Sequence, residues 1–337
     1  MTHAKAMILG CLGQRLTNDE KAFYRDEQPW GFIVFSRNLA EPQQIRDLVA
    51  EMRDCVGGRN APVLIDQEGG RVQRIREPIA PRYPSGADIG TLFKLDEEKG
   101  LRAAWIMSRL HAFDLRALGI NVDCLPVLDV PIPGASNVIG NRAYSGDPAI
   151  VARIGQAAAD GLKAGGVLPV MKHIPGHGRG MADSHHELPV VTVPREDLEA
   201  HDFVPFRALR KELMAMSCHV VYTAIDRDNP ATASRIVTDE IIRGSIGFEG
   251  LLMSDDISMN ALRGTMAERA QRLSAVLDVV LHCHGHMDEM QAVAAAAPLL
   301  SGRTLQRALA VEAAFGDPDD ADEAALRAEF SSLMAVA

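Results

Sequence analysis

With 337 residues, 47% of them apolar and 24% charged, the chain has the balance of a globular protein large enough to bury a core without covalent staples. A formal net charge of −10 argues against a nucleic acid or an anionic membrane as partner, since neither would be attracted electrostatically. The five cysteines are odd in number and scattered, with no C-x-x-C pair, so neither a disulfide framework nor a thiolate zinc site is indicated.

The N-terminal segment "MTHAKAMILGCLGQRL" lacks a basic leader and a small-residue cleavage site. It reads as a first strand. No apolar stretch approaches the roughly 20 residues that span a bilayer, and the expectation is a cytoplasmic protein. Short runs rich in Val, Ile and Leu then recur at 6–12, 31–36, 62–66, 120–125, 166–173, 216–222, 250–255 and 278–283. Runs of this kind suit parallel strands buried on both faces. Between them lie helical patterns such as "EPQQIRDLVAEMRDCV" and "GLRAAWIMSRLHAFDLRALG", and "TNDE" at 17–20 has capping-box spacing. Eight strands alternating with helices predict a single (β/α)8 TIM barrel over residues 1–337, the last thirty or so forming helix and tail. A doubly wound open sheet is the alternative.

Polar residues gather at the C-terminal ends of these runs: Asp66, Asp123, Lys172 with His173, His219, Asp255 with Asp256, and His282. Barrel enzymes build their active sites at that face from several strand ends. "LIDQEGGRVQR" (64–74) offers Asp66 as an acceptor for sugar hydroxyls and glycines that let backbone approach a ligand; it also reads as an ordinary polar turn. "IGNRAYSGDP" (139–148) lies in a long loop, where Arg142 can pair with a carboxylate or donate to hydroxyls. In "MKHIPGHGRGMADSHHELP" (171–189), Lys172 and His173 end a strand, and a Gly-rich loop then carries Asp183 and His185 at i, i+2. Extended backbone puts that pair on one side, and a carboxylate beside an imidazole readies it for proton transfer. "LLMSDDISM" supplies Asp255 and Asp256, of which only one can face a barrel-mouth site. "LHCHGHMDE" (281–289) spaces His282, His284 and His286 as a strand would, leaving open a metal-dependent hydrolase that joins them to Asp255.

Together these motifs, with "GFIVFSRN", "PVLDV", "HVVYTAIDRDNPATAS" and "SDDISM" in the same order, resemble glycoside hydrolase family 3, specifically its compact bacterial β-N-acetylglucosaminidases of peptidoglycan recycling. "KHIPGHG" followed by "DSH" resembles the subfamily that uses histidine as acid/base. The resemblance implies Asp255 as nucleophile, His185 as acid/base and Asp183 as its orienting partner. It implies sugar binding by Asp66, Arg74, Arg142, Lys172 and His173, and a retaining enzyme with no metal or cofactor. Retention requires the two catalytic groups about 5–5.5 Å apart, a spacing expected here on closure of the Gly-rich loop over substrate. The implied substrate is a small N-acetylglucosamine-containing muropeptide ending in 1,6-anhydro-N-acetylmuramic acid, acted on by a monomer with no nucleic-acid or membrane partner. Phosphorolysis by a GlcNAc phosphorylase is the other reaction such a histidine allows. Three departures stand out: "SAVLD" replaces a small-residue pair before the eighth strand, Thr223 a proline after Tyr222, and Cys218 an alanine.

Overall fold

Eight parallel strands alternate with helices: β1 Lys5–Leu9, β2 Pro29–Ile33, β3 Val63–Ile65, β4 Val122–Asp123, β5 in two pieces (Leu168–Pro169 and Met171–Ile174), β6 Met214–Ser217, β7 Leu251–Asp256 and β8 Val279–His282. They were traced in a computed structural model that describes residues 3–180 and 188–335. Each strand pairs with its sequence neighbours, and β8 returns to β1 through Met7 opposite Val280. The two pieces of β5 close the ring: Leu168 pairs with Val122 of β4, and Ala215 of β6 pairs with Met171. The architecture is a (β/α)8 barrel, as the eight apolar runs predict; the open sheet is excluded by that closure.

Period-two alternation sorts the strand residues into two cores. Ala6, Ile8, Leu64, Val122, Val170, Leu251, Met253, Val279 and Leu281 pack together inside the ring. Met7, Leu9, Val63, Ile65, Leu252 and Val280 face outward against the helices. Trp30, Leu300, Ala308 and Val311 join the inner cluster, so helix Gly302–Ala313 covers the N-terminal end of the barrel. Each such Ile or Leu contributes about 1.5–3 kcal/mol when fully buried.

Helix Asn18–Glu27 begins where the capping-box spacing places it. The Thr17 hydroxyl accepts the Glu20 N–H at 3.1 Å, and the Glu20 carboxylate accepts the Thr17 N–H at 2.8 Å. Helices Pro42–Cys55 and Glu97–Arg116 also match their sequence patterns. The C-terminal helix Glu323–Met334 buries Leu326 and Phe330 and pairs Glu329 with Arg102 of helix Glu97–Arg116. One expected strand differs. The run at 216–222 leaves the barrel after Ser217, and Val221–Tyr222 pairs instead with Val190–Val191 in a separate two-stranded sheet. Among the described residues no helix is long and apolar enough to cross a membrane.

Candidate active site

The C-terminal ends of the strands open into a cavity of about 550 Å³. Inward-facing Ile33, Met216 and Leu281 line it, together with Asp66, Arg74, Arg142, Lys172, His173 and Asp255. Six of the eight sequence-predicted site residues therefore meet in one place. The other two, Asp183 and His185, lie outside the described residues.

Hydrogen bonding distinguishes the paired aspartates of β7. Leu251 and Met253 face inward, the register then shifts between Met253 and Asp256, and both aspartates border the cavity. Asp256 is tied to its surroundings. Its Oδ1 accepts the N–H groups of Ser258 at 3.1 Å and Cys283 at 3.2 Å, and its Oδ2 accepts the Ser258 hydroxyl at 2.5 Å. Asp255 accepts one N–H, that of Asp256, at 2.7 Å. Burial opposes its charge. The charges of His173 and His219, that N–H and the Lys172 cation outweigh burial and hold the Asp255 carboxyl below the ordinary range.

Opposite β7, a chain of alternating charges crosses the cavity wall. Lys172 is 1% exposed; its Nζ lies 2.8 Å from Asp66 Oδ1 and 2.6 Å from Glu68 Oε1. Arg74 reaches the second oxygen of Asp66 at 2.8 Å. Arg142 grips Glu68 with both Nε and a terminal nitrogen, each at 2.8 Å, the paired geometry that makes such contacts strong. Burial works against the Glu68 carboxylate, but the Arg142 and Lys172 cations bring it down to about 2. Asp66 goes lower still, burial being overcome by Lys172 and Arg74. Burial lowers the Lys172 ammonium, yet Asp66 and Glu68 raise it above its usual value. Three cations and two carboxylates thus stay charged in one buried cluster, presenting fixed donors and acceptors to a polyhydroxylated ligand.

A second cluster orients the histidines. Asp129 Oδ2 lies 2.6 Å from His173 Nδ1, and its Oδ1 accepts the His177 N–H at 2.6 Å. Burial disfavours the Asp129 charge, but His173, by charge and hydrogen bond, and then His177 bring it down to about 2. Burial lowers His177 itself below the ordinary histidine value, only partly countered by Asp129. Gly178 follows where a Cβ would run into the carbonyl oxygen of Val130. This start of the Gly-rich loop therefore packs directly on the segment after β4.

Several expectations need correction. Gly69 and Gly70 do not line the cavity. Their positive φ values form the turn between Gln67–Gly69 and Val72–Gln73, where side chains would collide with Pro84 and Ser85. Asp123 points away from the cavity, accepting the Gln67 N–H at 3.0 Å and facing His111 at 3.8 Å. Burial raises its carboxyl well above the usual value. His282 turns outward to Glu289 at 2.8 Å. His282, His284 and His286 do not form one ligand group with Asp255: among the described residues the group with ligand spacing is His282, His284 and Glu289, of which His284 also lines the cavity.

Glu68, Asp129 and His177 escaped the sequence reading as site residues. Glu68 stands two residues after Asp66 inside "LIDQEGG", and Asp129 closes "PVLDV". The signal for both was a carboxylate beside a strand end with no other assigned purpose.

Comparison with known proteins identifies the family. A match to the Glycosyl hydrolase family 3 N terminal domain spans residues 1–310. A β-hexosaminidase of Bordetella avium (strain 197N) is 38% identical over 285 residues, covering 82% of this chain and 80% of that protein. One from Xylella fastidiosa (strain 9a5c) is 37% identical over 296 residues, covering 86% and 87%. The crystal structure of NagZ from Neisseria gonorrhoeae in complex with N-trifluoroacetyl-D-glucosamine matches with a TM-score of 0.85 and 31% identity, covering all of this chain and 98% of that one. A glycoside hydrolase family 3 β-N-acetylglucosaminidase from Paenibacillus sp. str. FPU-7 also gives a TM-score of 0.85, at 30% identity over 98% of this chain and 67% of its own. The barrel, the cavity at its C-terminal face and the match across residues 1–310 lead to one conclusion: the chain belongs to glycosyl hydrolase family 3.

Proposed function

We propose that the protein is a retaining exo-β-N-acetylglucosaminidase, a β-hexosaminidase acting on terminal β-linked N-acetylglucosamine. Its proposed substrates are muropeptide fragments carrying 1,6-anhydro-N-acetylmuramic acid, recycled from the cell wall in the cytoplasm by a monomer without metal or cofactor. The observation that carries the reading is the placement of a depressed carboxylate, Asp255, across the cavity from the Asp66–Lys172–Glu68–Arg142 cluster. The β-hexosaminidase relatives and the sugar-bound neighbour support it.

In this reading the Asp255 carboxylate attacks the anomeric carbon while His185, held by Asp183, protonates the leaving oxygen. The resulting imidazole then takes a proton from water, which releases the glycosyl group from Asp255 with retention. Lys172, Asp66 and Arg142 grip the ring hydroxyls, and His173 stands by Asp255 with its orientation set by Asp129.

The test is nitrophenol release from p-nitrophenyl β-N-acetylglucosaminide in phosphate-free buffer with chelator. Wild type should turn over and Asp255→Ala should be nearly silent. His185→Ala should lose much less, because nitrophenol departs with little help from a proton. Turnover that requires phosphate would identify a phosphorylase. Activity that requires an added metal ion would move the reaction to the histidines at 282–286.

A further inference from the structure

At the end of β8 the chain reads His282-Cys283-His284-Gly285-His286, and helix Met287–Ala296 follows at once. The alternation that puts Leu281 and Cys283 inside the barrel turns His282 outward, toward Glu289 in the first turn of that helix. His282 Nε2 is 2.8 Å from Glu289 Oε2, and His284 Nδ1 is 3.4 Å from the same oxygen. The three ligand atoms lie within 4.8 Å of one another. Ligands held at about 2.0–2.1 Å around a tetrahedral zinc ion stand roughly 3.4 Å apart, so small side-chain rotations close this group on one ion.

We propose that His282, His284 and Glu289 form a binding site for one divalent transition-metal ion of the zinc class, with water completing its coordination. Two imidazoles and one carboxylate suit zinc and its neighbours, whereas calcium and magnesium prefer all-oxygen sets.

The surroundings orient each ligand. His284 Nε2 lies 3.1 Å from the Ser258 hydroxyl, which itself donates to Asp256 at 2.5 Å. That chain leaves the Nδ1 lone pair of His284 facing the Glu289 oxygen, the outer-sphere arrangement common for metal-bound histidines. The contact with Glu289 keeps His282 Nε2 turned toward the site, while its Nδ1 is buried with no hydrogen-bond partner among the described residues. Gly285 has φ +79°, and a Cβ there would run into the backbone of Cys11 and Leu12, so the turn between the two outer histidines is seated against the loop after β1. The His282 side chain is fully buried while those of His284 and Glu289 are 47% and 30% exposed, which gives an ion a way in. Once bound, the ion fastens the end of β8 to helix Met287–Ala296. Through Ser258 it also braces Asp256, the neighbour of Asp255. The site adjoins the proposed catalytic cavity, which His284 also lines, but none of its three ligands is a proposed catalytic residue.

The experiment compares wild type, His284→Ala and Glu289→Gln, all full length and freed of metal with chelator. Zinc retained after dialysis is measured by elemental analysis, and Co²⁺ is used as a spectroscopic substitute. All three proteins should unfold alike without metal, since His284 and Glu289 reach solvent. Wild type should hold about one zinc per chain, show the intense visible band of four-coordinate Co²⁺ and gain a few degrees in Tm with zinc. Each variant should bind at least tenfold more weakly and lose both the Co²⁺ band and the Tm gain. Wild-type zinc affinity in both variants would place the ion elsewhere, and a wild type that retains none would remove the site; either overturns the proposal.

Discussion

One carboxylate, Asp129, holds His173 and the start of the Gly-rich loop together: Oδ2 meets His173 Nδ1 at 2.6 Å, and Oδ1 accepts the His177 N–H at 2.6 Å. Asp129 follows β4 and His173 lies in β5, so this contact links the ends of two neighbouring strands beside Asp255. It also fixes which His173 nitrogen is turned away from the cavity.

Asp129→Asn keeps the shape but removes the charge. The prediction is a fall in kcat/KM of about 10²-fold, the scale at which a misplaced positioning group slows chemistry. Circular dichroism should be unchanged. Wild-type turnover in this variant would show that His173 needs no such anchor.

Lys172 lies between Asp66 and Glu68, both at hydrogen-bond distance and all three largely buried. Lys172→Met leaves two carboxylates facing one another with only the two arginines to answer them. It should lower unfolding free energy by about 3–5 kcal/mol, as removal of one partner from a buried ion pair does. Urea titration measures this, and adding Asp66→Asn to the same chain should recover part of the loss.

The carboxyls of Glu68 and Asp129 are held at about 2, against usual values of 4.5 and 3.8. Because the folded values are depressed, the unfolded chain takes up protons first as the pH falls. Stability from these groups is therefore present in full above about pH 4.5 and is lost progressively toward pH 2. Urea midpoints measured at several pH values should show this acid loss in wild type and a shallower one in Glu68→Gln. Identical profiles would mean that the Arg142–Glu68 pair contributes nothing to the acid limb.

Much of the barrel was legible because its strands are buried on both faces, which writes them as near-continuous apolar runs. The exception, the run at 216–222, shows the limit of that signal: Val221 and Tyr222 are as apolar as barrel residues, but the chain has already left the ring at Ser217. Residue types at strand ends indicated where a site would form. They did not indicate direction: Asp123 and His282 end strands and His219 follows one, yet none of the three lines the cavity. The difference between Asp255 and Asp256 lies in their partners, since Ser258 and Cys283 hold the Asp256 carboxylate, and adjacent residues alone do not reveal it. Glu68 was hidden for a related reason. Its importance comes from Lys172 and Arg142, which are more than seventy residues away and reach it only in the closed barrel.

The central claim is that Asp255 becomes covalently glycosylated. A fluorinated N-acetylglucosaminyl fluoride, which forms such an intermediate readily and releases it slowly, is incubated with the protein, followed by proteolysis and mass spectrometry. The account predicts one sugar adduct on the peptide containing Asp255, and none in Asp255→Ala. An adduct on any other residue, or continued turnover by Asp255→Ala, would contradict it.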